Sequence, residues 1–197
     1  MIKILIIVSA LVLAGCKPAA KKFDARVAFT AGQPEGSSDQ QKWQRVHEAQ
    51  LLPAKTLVRT DIDSRVDLQV PQGKIRLLGN TVLSIERLAF NESYLKAQRG
   101  NFLVKASKLR GGTNYTIETA LAITSVKGAE FTGRINRANN TATFAVRHGA
   151  IEVTRKADNK KVVINSKQAV DLAPGKELKA REALEIEMNG LKEIDQM

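Results

Sequence analysis

Cys16 is the only cysteine among 197 residues, so the chain cannot form an internal disulfide. Its two histidines, His47 and His148, stand far apart in the sequence. With no second cysteine, their spacing offers no Cys- or His-based metal set. Asp61-Ile62-Asp63-Ser64 supplies two carboxylates at a turn, short of the Asp-x-Asp-x-Asp-Gly loop that would hold calcium. No glycine loop of the phosphate-binding kind and no Gly-x-Ser-x-Gly elbow occurs. Glu185 and Glu187 lie in a charged tail, where a solvated face explains them better than a glycosidase pair. His148 precedes Gly149 at what reads as a hairpin position, with no positioned nucleophile for it to serve. The expectation is a protein that is not an enzyme and carries no cofactor and no metal. One short constellation remains, Lys127-Gly128-Ala129-Glu130-Phe131. Gly128 suits a turn or bulge with positive φ, and Phe131 suits the core. Lys127 and Glu130 are the candidate binding residues, as an ion pair, a backbone acceptor or a small ligand site.

The chemistry of Cys16 depends on what precedes it. Met1-Ile2-Lys3 gives one positive charge, and Ile4 to Leu13 is apolar apart from Ser9. That run is shorter than the roughly 20 residues a spanning helix needs. A basic start, a short apolar core and small residues at the end read as an export signal. Leu13-Ala14-Gly15-Cys16 resembles a lipobox, the motif of lipoprotein signal peptidase. The likeness implies cleavage after residue 15, a diacylglyceryl thioether on Cys16 and a further acyl chain (a palmitate-type lipid) on the new amine. Several chains anchor firmly where one is marginal, since each buried methylene contributes about 0.8 kcal/mol. The expected organisation is a signal peptide over 1–15, a lipidated tether over 16–22, a β-domain over 23–176 and a charged C-terminal tail over 177–197. Lys17, where an aspartate would favour the inner membrane, leans the localisation towards the outer membrane of the cell envelope.

The remainder has an ordinary apolar share, few aromatics and a formal charge of +11, one less once Lys3 is removed. Such an excess favours anionic partners in general. Export takes the chain away from nucleic acid, and no run of five or six basic residues marks a dedicated tail. Phe23 to Phe29 reads as a first strand, residues 31–42 as a loop, and Trp43 to Leu52 as ambiguous. From Leu57 onward, short alternating runs are separated by turn signals such as Pro71-Gln72-Gly73, Gly79-Asn80, Asn139-Asn140 and Pro174-Gly175. Strands of about five residues spaced in this way predict an all-β domain. Leu184, Met188 and Leu191 fit a helical stripe, and a short C-terminal helix is favoured over a strand.

Four segments in order carry a family resemblance. They are Leu57-Val58-Arg59-Thr60 with Ser64 to Leu68, Gly73-Lys74-Ile75-Arg76-Leu77, Thr124 to Phe131, and Phe144 to Val153 read as a strand-Gly-strand hairpin. This set resembles the FecR-type domain, named for the periplasmic iron-citrate sensor, over roughly residues 23–176. The sequence departs from the family at Lys55-Thr56, where Gly-Asp is usual. It departs again at Gln72-Gly73 for Asp-Gly and at Lys127-Gly128-Ala129 for Arg-Gly-Thr. The resemblance implies stacked short antiparallel strands, sandwich or solenoid-like, and a sensing, scaffold or protein-binding role outside the cytoplasmic membrane. The expected partners are the membrane, through Cys16, and another envelope protein. The alternative is a polyanion or cell-wall carbohydrate, suggested by the positive charge. The sequence does not fix the oligomeric state.

Overall fold

The structure is a computed structural model, and it describes residues 23–107 and 111–191. The signal peptide, Cys16 and the tether lie outside the described residues. The chain opens with β1 (Ala25–Ala31), the short pieces β2 (Glu35–Ser37), β3 (Gln44–Arg45) and β4 (Leu51–Leu52), and β5 (Leu57–Arg59). β6 (Arg65–Val70), β7 (Gly73–Leu77) and β8 (Val82–Ala89) follow. Then come β9 (Glu92–Ala106), β10 (Asn114–Glu118), β11 (Ala122–Asn136) and β12 (Thr141–Arg155). β13 (Lys161–Asn165), β14 (Gln168–Leu172), β15 (Ala180–Glu182) and one helix, α1 (Glu185–Leu191), complete the described chain. The fold is all-β with a short C-terminal helix. The ambiguous stretch Trp43 to Leu52 forms the short strands β3 and β4.

All strands belong to one continuous sheet that folds over a single core. Three 15-residue strands hold its two halves together. The first part of β9 pairs with β8 and, in parallel, with β10; its second part pairs with β7 and β11. β11 pairs through Ile123–Val126 with β10, and from Glu130 onward with β9. β12 pairs first with β14 and then with β13. Each long strand changes partners at a glycine with positive φ: Gly100 (95°), Gly128 (109°) and Gly149 (81°).

Those glycines correct the expectation of short strands separated by turns. Phe144 to Val153 is not a hairpin; it is continuous strand, paired with β11 on both sides of Gly149 with a register shift on each side. A positive-φ glycine serves a bulge as well as a turn, and a bulge bends a strand without ending it. The burial pattern records the inserted residue. In β11, Ala122, Thr124 and Val126 face the core before Gly128, and Ala129, Phe131 and Ile135 after it. In β12, Ala142, Phe144 and Val146 give way to Ile151 and Val153. In β9, Ser93, Leu95 and Ala97 give way to Phe102 and Val104. One extra residue exchanges the faces of a period-two strand, so the alternation breaks at each bend. Gly128 and Gly149 also touch, because a Cβ on Gly149 would lie 2.2 Å from the Gly128 carbonyl oxygen.

Candidate functional site

The sequence-selected pair does not meet. Lys127 and Glu130 both point outward, but they stand on opposite sides of the bulge at Gly128. Lys127 is exposed and takes no part in the ion pairs of Glu130. Glu130 instead gathers groups from neighbouring strands. His148 Nδ1 lies 2.8 Å from its Oε2, Lys105 Nζ 3.7 Å from its Oε1 and Arg147 Nη1 4.0 Å from its Oε2. The register brings them there, with Glu130 opposite Lys105 on β9 and His148 on β12. Phe131 is fully buried, as expected of a core residue.

A cross-strand row on the outer face of the sheet passes through Asp67, Arg76, Leu103, Thr132, Ala145 and Ala169. Asp67 and Arg76 are almost wholly buried and form two parallel bonds, Nε to Oδ1 and Nη2 to Oδ2, each 2.7 Å. The small residues Ala145 and Ala169 make room for α1, and Met188 packs against Leu103. Arg181 fastens this helix. It donates from Nε and Nη2 to Asp171, both at 2.8 Å, and from Nη1 and Nη2 to Glu187 at 3.0 and 2.7 Å. Arg181 and then Lys176 and Thr143 hold the Asp171 carboxyl well below the usual aspartate range, against the opposing effect of burial. Burial works against the charge of Glu187. Arg181 and the Leu184 amide, which donates to its Oε2 at 2.8 Å, outweigh that and lower its pKa. Glu187 thus caps the helix from its third position. Glu185 is exposed, as a solvated face requires, but Glu187 is not. Periodicity could not separate the two, because the partner of Glu187 comes from β15.

Beside the middle of β9, where the two ends of β11 and β12 approach each other, two clefts adjoin. One, of about 350 Å³, has Ala97, Leu121, Ile135 and Ala142 as apolar lining, with Lys96, Arg137 and Lys156 around it. The other, of about 660 Å³, carries Arg99, Arg134 and Arg137. They share Ile135, Asn136 and Arg137, and neither is lined by a carboxylate. Sequence reasoning missed these cations, since Lys96 and Arg99 are distant in the chain from Arg134 and Arg137. Only the register pairs Gly100 with Ile135 and Asn101 with Arg134 bring them close. Among the described residues no group of three or more His, Cys, Asp or Glu could hold a metal ion. Among them, too, no helix is long and apolar enough to cross a membrane.

Residues 56–152 match the model of the FecR protein family. No curated protein matches the chain. Two crystal structures of a candidate anti-sigma factor from Parabacteroides distasonis ATCC 8503 are similar in fold. Both are 14% identical over 64% of this chain and 59% of theirs, with TM-scores of 0.57 and 0.56. The chain therefore spans about three fifths of the length of those proteins.

Proposed function

Residues 56–152 carry a FecR-type domain, and from that premise we propose a lipid-anchored, non-catalytic module that binds another protein of the bacterial cell envelope, as a sensor or a scaffold. The observation that carries this is the family match, supported by the fold shared with a candidate anti-sigma factor. The anchor rests on Leu13-Ala14-Gly15-Cys16 at the end of an apolar run. The backbone supports a close attachment. Phe23 donates its amide to the Leu88 carbonyl at 3.3 Å, and the six residues between Cys16 and Phe23 span at most about 25 Å. The lipid keeps the domain within one domain diameter of the bilayer, the outer membrane being favoured by Lys17.

Crosslinking in intact cells followed by affinity capture tests the binding function. Repeated recovery of one envelope protein is expected, and repeated capture of no protein partner refutes it. Changing Cys16 to Ala tests the anchor separately. The expected product is an uncleaved or soluble precursor; normal processing with partition into detergent would refute lipidation.

A further inference from the structure

Most carboxylates on the outer faces are paired with a neighbouring cation, as Glu86 is with Lys55, Glu92 with Arg87, Glu152 with Lys161 and Asp158 with Arg155. Part of the positive excess gathers in one place. Lys96 and Arg99 on β9, Arg134 on β11 and Arg137 in the β11–β12 turn are all exposed. Among the described residues Arg99, Arg134 and Arg137 make no ion pair, while Lys96 lies near enough to Glu86 to help hold its carboxyl below the usual range, after Lys55 and Ser84. Lys156 beside them is neutralised by Glu118 at 2.5 Å.

We propose that this part of the domain binds an acidic segment of a partner protein, with Lys96, Arg99, Arg134 and Arg137 meeting its carboxylates and the apolar lining of the smaller cleft receiving one aliphatic side chain. This deepens the protein-binding function proposed above and rests on it. Three arginines without an acidic partner, with Lys96 beside them, around two carboxylate-free clefts focus field on one site, which raises encounter rates with acidic partners and rejects basic ones. Three observations select a peptide. The smaller cleft has an aliphatic floor of Ala97, Leu121, Ile135 and Ala142, the complement of a single apolar anchor. Gln98, Asn136 and Asn140 on its wall offer both donors and acceptors, which main-chain amides require. No Trp, Tyr or Phe lines either cleft, so the stacking platforms that sugars and bases use are missing. The position also speaks against a bilayer surface. Phe23 is held beside the β8–β9 turn, whereas Arg99 stands seven residues along β9 from Glu92, about 23 Å at strand rise. With the lipid attached at the Phe23 end, the cations stand about 23 Å at strand rise from the point of attachment.

The test uses the full mature chain in mild detergent and a fluorescent synthetic peptide of six glutamates flanking one leucine, followed by anisotropy at low and high salt. The triple variant Arg99→Gln/Arg134→Gln/Arg137→Gln is compared with Arg26→Gln/Lys42→Gln/Lys167→Gln, which removes the same charge from exposed cations elsewhere. Thermal unfolding confirms that both variants fold. Saturable binding to the unaltered chain is expected. It should weaken at least tenfold in the first variant, no more than about twofold in the second, and fall with ionic strength. Absence of peptide binding, or equal loss in the two variants, overturns the proposal. So does a result in which the first variant keeps peptide binding but no longer sediments with phosphatidylglycerol vesicles that retain the unaltered chain, which would make the site a membrane surface. If crosslinking recovers the same envelope partner with the first variant as with the unaltered chain, the site is wrong while the protein-binding function stands. Failure to recover any partner with the unaltered chain removes that function instead.

Discussion

Changing Gly149 to alanine isolates the contact on which the bend of β12 depends. Gly149 and Gly175 have similar positive φ, 81° and 72°. An added Cβ at Gly175 meets nothing within 4 Å, whereas at Gly149 it lies 2.2 Å from the Gly128 carbonyl oxygen and 3.0 Å from the Ala129 Cα. Placing an L side chain in this left-handed region costs about 1–2 kcal/mol at either position. A favourable separation for such atoms is about 3.5 Å, so at Gly149 the facing strand must also retreat by more than 1 Å. Forced overpacking of this kind costs about 1–3 kcal/mol. Gly175→Ala should therefore lose about 1–2 kcal/mol and Gly149→Ala about 2–5 kcal/mol. The difference corresponds to several degrees in Tm for a chain of this size. Urea unfolding, followed by circular dichroism and by fluorescence of the single tryptophan, Trp43, measures both. Equal losses would show that β12 bends without the close approach to β11, and the account of the paired bends would be wrong.

Other substitutions probe the outer face and the core. Arg76→Met should destabilise by about 3–5 kcal/mol by leaving Asp67 buried without its partner, and the Asp67→Leu/Arg76→Met double variant should recover most of that in the same unfolding assay. Arg181→Ala removes the clasp of α1 and should cost about 2–3 kcal/mol, with faster proteolysis after residue 182. Asp171 and Glu187 have folded pKa values below their ordinary ones. Their contribution is complete above the unfolded values near about 4 and is lost as pH falls through the folded ones. Acidification below about pH 4 should thus release α1, read as rising protease susceptibility of the C-terminal segment. Tyr115 is buried with a hydroxyl that has no hydrogen-bond partner, and burial pushes its pKa up. Tyr115→Phe should stabilise the fold by about 1 kcal/mol; a loss would mean that the hydroxyl is satisfied in solution.

The all-β class was legible because alternation such as Val66, Leu68 and Val70 is a local signal. The positive φ of Gly128 and the burial of Phe131 were legible for the same reason. The long strands were not. A bulge shifts the buried positions by one, so a period-two pattern read along the chain stops at Gly100, Gly128 and Gly149 as it would at a turn. Glu130 shows the second limit. Its nearest charged neighbour in sequence, Lys127, is not its partner, and those that are, Lys105, Arg147 and His148, depend on register across three strands. The parallel pairing of β9 with β10 and the gathering of Arg99 with Arg134 are likewise properties of topology.

The three shared strands impose an order on assembly. A chain delivered N-terminus first presents β1 to β8 before any of β9, β11 and β12 is complete. β7 and β8 both wait for β9, and β9 waits for β11, which waits for β12. The central ladder closes only when Arg155, the last residue of β12, is free of whatever delivers it. Until then the edge of β11 that β12 covers stays unpaired, and an open edge is the feature most prone to aggregation. Delivery in that order would leave this domain dependent on holding factors until β12 is complete, and truncation before residue 155 should yield chains whose central ladder stays open.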